Sequence, residues 1–324
     1  MPTDDLPAPP PGRSGWPWVG APPDFPDEVP GSGPWPRLSI VTPSYNQADF
    51  LEEAIRSVVL QGYPNLEYAI IDGGSSDGSR QILETYSPWL TSWVSEPDRG
   101  QYEAINKGFA RTSGEIMGWL NSDDLYAPGA LRRIGGVFAQ IPEAAWVTSL
   151  RPLCLDSRGN ESRARRLPGF CRRAFMQAEY VVGVGHFASA WIPQESTFWR
   201  RSLWDSAGGY VEESLELAGD FELWSRFYER EDLYGIDSHI AAFRRHDQQK
   251  TALRLPSYVK EADAVFLQRG GAESSWARAL LRKCVSRLPA PGRSLARAVR
   301  LAYPGRIIVQ DGTDGRWRLV DTVV

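Results

Sequence analysis

The chain has 324 residues, 42% of them hydrophobic and 23% charged, which is the composition of a globular protein with enough apolar residues for a sizeable core. A formal net charge of −4 at pH 7 gives no reason to expect nucleic acid as a partner. No run approaches the roughly 18 consecutive apolar residues needed to span a bilayer, and three cysteines without C-x-x-C spacing argue against a disulfide framework and a structural zinc site.

Residues 1–36 contain 12 Pro and 5 Gly and carry a net charge of −4, a composition that predicts a disordered, partly extended tail. No basic segment leads into an apolar run there, so no secretory signal is expected and the reading is of a cytoplasmic, reducing setting. Arg37 to Val41 then reads as a short buried strand. From about Asp49 a helix is expected, because Leu51, Ala54, Ile55, Val58 and Val59 share one face. Asp49 and Glu52 have the spacing of a capping box. Gly62-Tyr63-Pro64-Asn65 breaks this helix, Leu66 to Ile71 reads as a second strand, and the loop Asp72-Gly73-Gly74-Ser75-Ser76-Asp77-Gly78-Ser79 leads into a helix over 80–86.

A helix over 101–110 precedes a third strand, Glu115 to Leu120, and Pro128 suits the first turn of a helix over 129–138. Strands alternating with helices predict an α/β fold with a mainly parallel sheet flanked by helices. Such sheets bind ligands beyond the carboxyl ends of their strands. The loops after Val41, Ile71 and Leu120 are therefore the places to look for chemistry.

The third of these loops is Asn121-Ser122-Asp123-Asp124. Adjacent carboxylates at a strand end repel unless a cation or hydroxyls share the charge, and Mg²⁺ or Mn²⁺ suits one or two carboxylates plus phosphate oxygens. A turn in which an Asp caps the next helix explains the same residues. In the second loop, small residues allow a ligand to approach the backbone, and Asp72 can accept hydrogen bonds from a base or ribose; a tight turn would look the same. Further on, Asp220 shares a helical face with Leu223, Trp224 and Phe227, so an inward carboxylate stands at a helix start, where the dipole keeps it ionised as a general base requires. The alternative there is an ordinary N-cap.

Four segments together resemble the family-two glycosyltransferases: Leu38 to Gln47 (LSIVTPSYNQ), Asp72 to Ser79 (DGGSSDGS), Asn121 to Asp124 (NSDD) and Gly219 to Trp224 (GDFELW). The resemblance implies a GT-A fold over residues 37–250, with a nucleotide-sugar half at 37–125 and an acceptor half at 126–250. It also implies an inverting single displacement and a nucleotide diphosphate bound through Mn²⁺ or Mg²⁺. Carried over by motif, Asp124 would hold the metal, Asp123 the donor ribose or the metal shell, and Asp220 would deprotonate the acceptor hydroxyl. Pro43, Tyr45 and Asp72 would line the nucleotide site. The run Ser95 to Gly108 resembles a donor-side segment of one bacterial subgroup, which adds Asp98 and Asn106 to the nucleotide-sugar site. His246, in a basic loop, stands where related enzymes place a loop near the diphosphate and is a third candidate metal ligand; a solvated loop is the alternative. Gly73 stands where many members carry a second Asp that contacts the base, and Asn121 replaces a frequent Asp.

Two other classes stay open. A relative without catalysis would bind nucleotide or glycan as a module. Tyr180 to Ala188 (YVVGVGHFA) also contains a G-x-G-x-x-A pattern, the fingerprint of an NAD-dependent dehydrogenase. Trp191, Trp199 and Trp204 are the tryptophans nearest the acceptor side for stacking on sugar. Residues 267–306 carry eight Arg and one Lys against Glu273, a net charge of +8 interleaved with apolar residues. Such a stretch suits peripheral contact with the inner face of a membrane and a glycan or lipid-linked glycan acceptor in bacterial surface glycan assembly, and equally a solvated helix face. Residues 251–324 read as a basic helical extension ending in a hairpin around Asp311 to Gly315.

Overall fold

The structure, a computed structural model, describes residues 5–20, 25–180, 191–273, 275–285, 303–312 and 315–323. Chain order opens with β1 (Leu38–Ser44), α1 (Ala48–Val59), β2 (Leu66–Asp72), α2 (Ser79–Tyr86), β3 (Ser92–Ser95), α3 (Gln101–Phe109), β4 (Ile116–Trp119), β5 (Leu125–Tyr126) and α4 (Ala130–Gln140). It continues with β6 (Trp146–Ser149), β7 (Leu153–Leu155), β8 (Glu161–Arg163), α5 (Arg172–Phe175), β9 (Phe198–Arg200), α6 (Arg201–Ser206) and α7 (Gly219–Tyr228). The last elements are β10 (Leu233–Ile236), β11 (Ala241–Arg244), α8 (Lys250–Leu253), α9 (Leu255–Gln268), α10 (Trp276–Val285), β12 (Pro304–Gln310) and β13 (Trp317–Val323).

Among the described residues nine strands form one sheet in the order β13-β12-β10-β6-β9-β4-β1-β2-β3. Its donor-side end, β4-β1-β2-β3, is parallel, with Val41 level with Ala69 on one side and Trp119 on the other. All seven residues of β1 are buried, as expected for a strand covered on both faces. β9 runs antiparallel between β4 and β6, so the sheet is mainly rather than wholly parallel. A smaller sheet, β5-β11-β7-β8, lays β11 antiparallel beside β5, which brings the segment after Arg244 alongside Asp123 and Asp124. One core cluster centres on Trp119, Trp146, Trp199 and Trp224, with Trp119 and Trp224 stacked at 5.8 Å. Trp199 and Trp204 lie within this core and not at a sugar surface; Trp191 is exposed.

Two expectations change. Residues 5–20 and 25–36 form no regular element of any length, yet they pack on the domain: Trp18, Val29 and Trp35 are buried. Arg56 of α1 donates to the carbonyls of Pro7, Pro17 and Trp18, so backbone that has no ladder of its own finds its donor in a buried guanidinium. The C-terminal hairpin is likewise part of the main sheet, since β12 pairs parallel with β10 and β13 closes the edge. Residues 181–190, which hold the G-x-G-x-x-A pattern, and residues 286–302 of the basic stretch lie outside the described residues. Among those described, no helix is long and apolar enough to cross a membrane.

Candidate active site

A cleft of about 590 Å³ opens over the carboxyl ends of β1, β2, β3 and β4. Pro43, Tyr45, Asp98, Asp123 and His246 line it, together with Gly73, Gly74, Arg99, Gln101, Asn121, Gln248 and Lys250. Among the described residues, Asp98 and Asp123 alone bring carboxylates to this lining.

The loop walls are fixed by the first two motifs acting on each other. Asn46 takes φ 52°, a left-handed value that Asn tolerates. Its N–H donates to Ser75 Oγ, and its side-chain oxygen accepts from Ser76 N–H. Asp77 caps two helices at once, accepting from Ala48 N–H at 2.8 Å and from Ser79 N–H at 3.0 Å. The expected capping box at Asp49 is therefore replaced by a cap from a different loop. Burial works to raise the Asp77 carboxyl, but these hydrogen bonds hold it below the ordinary range.

Asp72 is a correction. It is fully buried, and its oxygens accept from Ser75 N–H, Ser75 Oγ and Ser95 Oγ, so the side chain is committed to folding its own loop. A carboxylate one residue from a glycine loop looks the same in sequence whether it faces ligand or protein. Asn106 is a second correction. Its amide donates to Val211 O and Glu213 Oε1 and accepts from Val211 N–H, tying α3 to the segment before α7 away from the cleft lining.

The two aspartates after β4 divide in the reverse of the expected manner. Asp124 is 1% exposed and takes hydrogen bonds from Arg244 N–H (2.9 Å) and Asn121 Nδ2 (3.3 Å), so its oxygens do not line the cleft. Asp123 does line it, and its Oδ2 meets His246 Nε2 at 2.9 Å across 123 positions of chain. The pair sits in a turn closed by Asp124 N–H on Asn121 O, which sends the two side chains different ways, and Arg244 takes the Asp124 carboxylate. The Arg244 guanidinium is itself buried, donating to Asp123 O and pairing with Glu53 of α1.

Asp123 Oδ2 and His246 Nε2 lie 2.9 Å apart at the cleft, a separation at which an oxygen and an imidazole nitrogen could share one cation. Among the described residues no cluster of three or more His, Cys, Asp or Glu side chains is placed to hold one. This pair fits a divalent cation whose remaining positions come from ligand phosphate oxygens and water rather than a cation held in a protein cage.

Asp220 lies outside the cleft lining, half-buried in the first turn of α7, where its Oδ1 accepts from Phe221 N–H at 2.7 Å. The helix cap is Ala218, so Asp220 is not an N-cap. Burial raises its carboxyl to about 6. The start of α7 is held by Tyr102, whose hydroxyl accepts from Gly219 N–H at 2.8 Å. A Cβ on Gly219 would stand 2.6 Å from the Tyr102 ring, so the glycine is required by this approach.

Sequence reasoning missed Glu195. It is 5% exposed in a short turn and raised to about 7, by burial first and then by Asp220. It also acts with burial and Asp123 to lift Asp124 well above the carboxylate range. Asp124 and Asp220, 96 positions apart, thus both stand within electrostatic reach of the buried Glu195. Nothing local to Gln194-Glu195-Ser196 signals this.

Residues 39–197 match the Glycosyl transferase family 2. An uncharacterized glycosyltransferase of Mycobacterium tuberculosis is 32% identical over 180 residues, 54% of this chain and 63% of that protein, so the match spans under two thirds of the relative. An uncharacterized glycosyltransferase of Rickettsia typhi is 24% identical over 232 residues, covering 71% of this chain and 70% of the relative. Among solved structures, S. aureus TarS 1–349 in complex with UDP is similar at a TM-score of 0.54 and 15% identity over 76% of this chain and 69% of that one, a likeness of fold. The fold is that of the GT-A glycosyltransferases, and residues 39–197, just under half of the chain, match glycosyl transferase family 2.

Proposed function

We propose that the chain transfers a sugar from a nucleotide-diphosphate sugar to an acceptor hydroxyl, with inversion and with a divalent cation. The observation that carries this reading is the Asp123–His246 pair at the floor of a cleft walled by the β1, β2 and β3 loops. Asp123 and His246 would hold the cation. Mn²⁺ accepts an imidazole ligand more readily than Mg²⁺, which favours Mn²⁺ here. When bound, the cation supplies charge neutralisation to the departing diphosphate.

The rest of the work falls to the chain. Tyr45, 58% exposed, offers an aromatic face to a base, and Pro43 with the Gly73-Gly74 backbone lets the nucleotide lie close. His246 is oriented by Phe50, whose ring lies 4.7 Å from the imidazole. Asp220 takes the proton of the acceptor hydroxyl as the oxygen bonds to the anomeric carbon and the bond from that carbon to the phosphate oxygen breaks. A base with a carboxyl near 6 is ionised at neutral pH and still basic enough to take part. The TarS structures, with UDP and with UDP-GlcNAc, support a uridine-type donor for this architecture. A glycan or lipid-linked glycan acceptor, surface glycan assembly and membrane contact through the basic stretch complete the reading.

The test is donor hydrolysis and transfer with Mn²⁺, comparing wild type with Asp220→Asn and with chelator. Asp220→Asn is expected to lower turnover by about 10²–10⁴-fold while leaving donor binding intact, and chelation is expected to abolish activity. Unchanged turnover in Asp220→Asn would sink the base assignment.

A further inference from the structure

Gly73 is covered by Asp98. A Cβ built on Gly73 would lie 3.0 and 3.1 Å from the two carboxylate oxygens of Asp98, so the carboxylate rests on the glycine backbone in the space a side chain at 73 would fill. Gly73 is fixed from below by its N–H bond to Ser44 O at 2.8 Å. Asp98 Oδ1 accepts from Gly100 N–H at 2.9 Å. No hydrogen bond among the described residues engages Oδ2 of this half-buried, cleft-lining group.

The cleft's other carboxylate, Asp123, lies beyond β4, whereas Asp98 lies beyond β3. The order β4-β1-β2-β3 puts those strand ends three spacings, about 14 Å, apart. If the diphosphate sits at Asp123 and His246, the opposite end of the cleft receives the nucleoside, beside Tyr45 and Pro97. An unpaired carboxylate there repels phosphate and seeks a donor. Asp98 Oδ2 accepts no hydrogen bond from the described residues and can take the single N3–H of a uracil or thymine; ribose hydroxyls and guanine N–H groups are donors of the same kind, and titration with 2′-deoxy-UDP and GDP separates them.

We propose that Asp98 is the base-specificity residue of this chain, its free oxygen accepting the N3–H of a uracil or thymine, and that Gly73 is glycine so that the carboxylate can lie there. This rests on the nucleotide-sugar reading above.

The experiment is calorimetric titration, with Mn²⁺ present, of UDP, N3-methyl-UDP, 2′-deoxy-UDP, dTDP and GDP into wild type, Asp98→Ala and Asp98→Asn. A hydrogen bond to a charged acceptor corresponds to roughly a 10- to 100-fold preference, so wild type is expected to bind UDP at least about tenfold tighter than N3-methyl-UDP. In both variants that ratio is expected to collapse toward one; being a ratio within each protein, it is insensitive to a general loss of affinity. An unchanged ratio in Asp98→Ala overturns the assignment, as does a variant whose lost discrimination is between UDP and 2′-deoxy-UDP, which would place Asp98 on the ribose. Wild type that binds GDP and not UDP or dTDP overturns it while leaving the nucleotide-sugar reading intact. If no nucleoside diphosphate binds wild type, both fail.

Discussion

Glu195 and Asp220 are carboxyls that burial raises, and their titration bears differently on rate and on stability. In the proposed base role Asp220 works only when ionised, so kcat/KM is expected to rise through about pH 6 and then level off, the limb disappearing in Asp220→Asn. Glu195 is raised from 4.5 to about 7 by burial, then by Asp220. The folded state therefore holds its proton more tightly than the unfolded chain. Its contribution is fully present below the unfolded value and is lost as pH rises through the folded one. Thermal unfolding at pH 5 and pH 8 is expected to show a smaller decline in Glu195→Gln than in wild type. An equal decline would place the pH sensitivity elsewhere. The sequence offers Asp123 and Asp220 at motif positions and His246 in a basic loop as candidates for this chemistry. Glu195 is not among them, because its character comes from burial beside residues distant in the chain.

At the scale of elements, the loops after β1 and β2 behave as one unit. Asp77 closes the N-termini of both α1 and α2, and Asn46 with Ser75 locks the two loops together. Replacing Asp77 by Ala is expected to cost about 1 kcal/mol, read as a lower urea midpoint. The direction of its titration adds a pH signature. Its carboxyl is held below the ordinary value when folded, so this contribution is present at neutral pH and lost as pH falls through the folded value. The strands and helices of the first half were predictable because their apolar spacing is continuous. β3, β6, β9 and β10 are three or four residues long, too short for a period to show, and their pairing order depends on contacts that no local window contains.

Across the whole molecule, a relay of buried polar groups joins the N-terminal segment to the cleft floor. Trp18 Nε1 and Arg13 donate to Glu53, Glu53 pairs with Arg244, and Arg244 holds Asp123 and Asp124 through its side chain and its N–H. Trp18 also sits under two guanidinium groups, those of Arg13 and Arg56. Trp18→Ala is expected to destabilise the fold by about 3 kcal/mol, measured by urea unfolding. A change below a few tenths would mean that the segment is not held in place. Composition alone pointed to a disordered tail, since Pro and Gly oppose regular structure, but a few buried aromatics and one arginine that satisfies carbonyls suffice to dock such a chain. From the sequence alone came the α/β class, the family and the residue types that bear the chemistry, because apolar periodicity and motif spacing are local quantities. Which aspartate faces the cleft, which is sealed behind Arg244, and which carboxylate lies on Gly73 were decided only in three dimensions, where burial and hydrogen-bond partners are drawn from segments up to 191 positions apart.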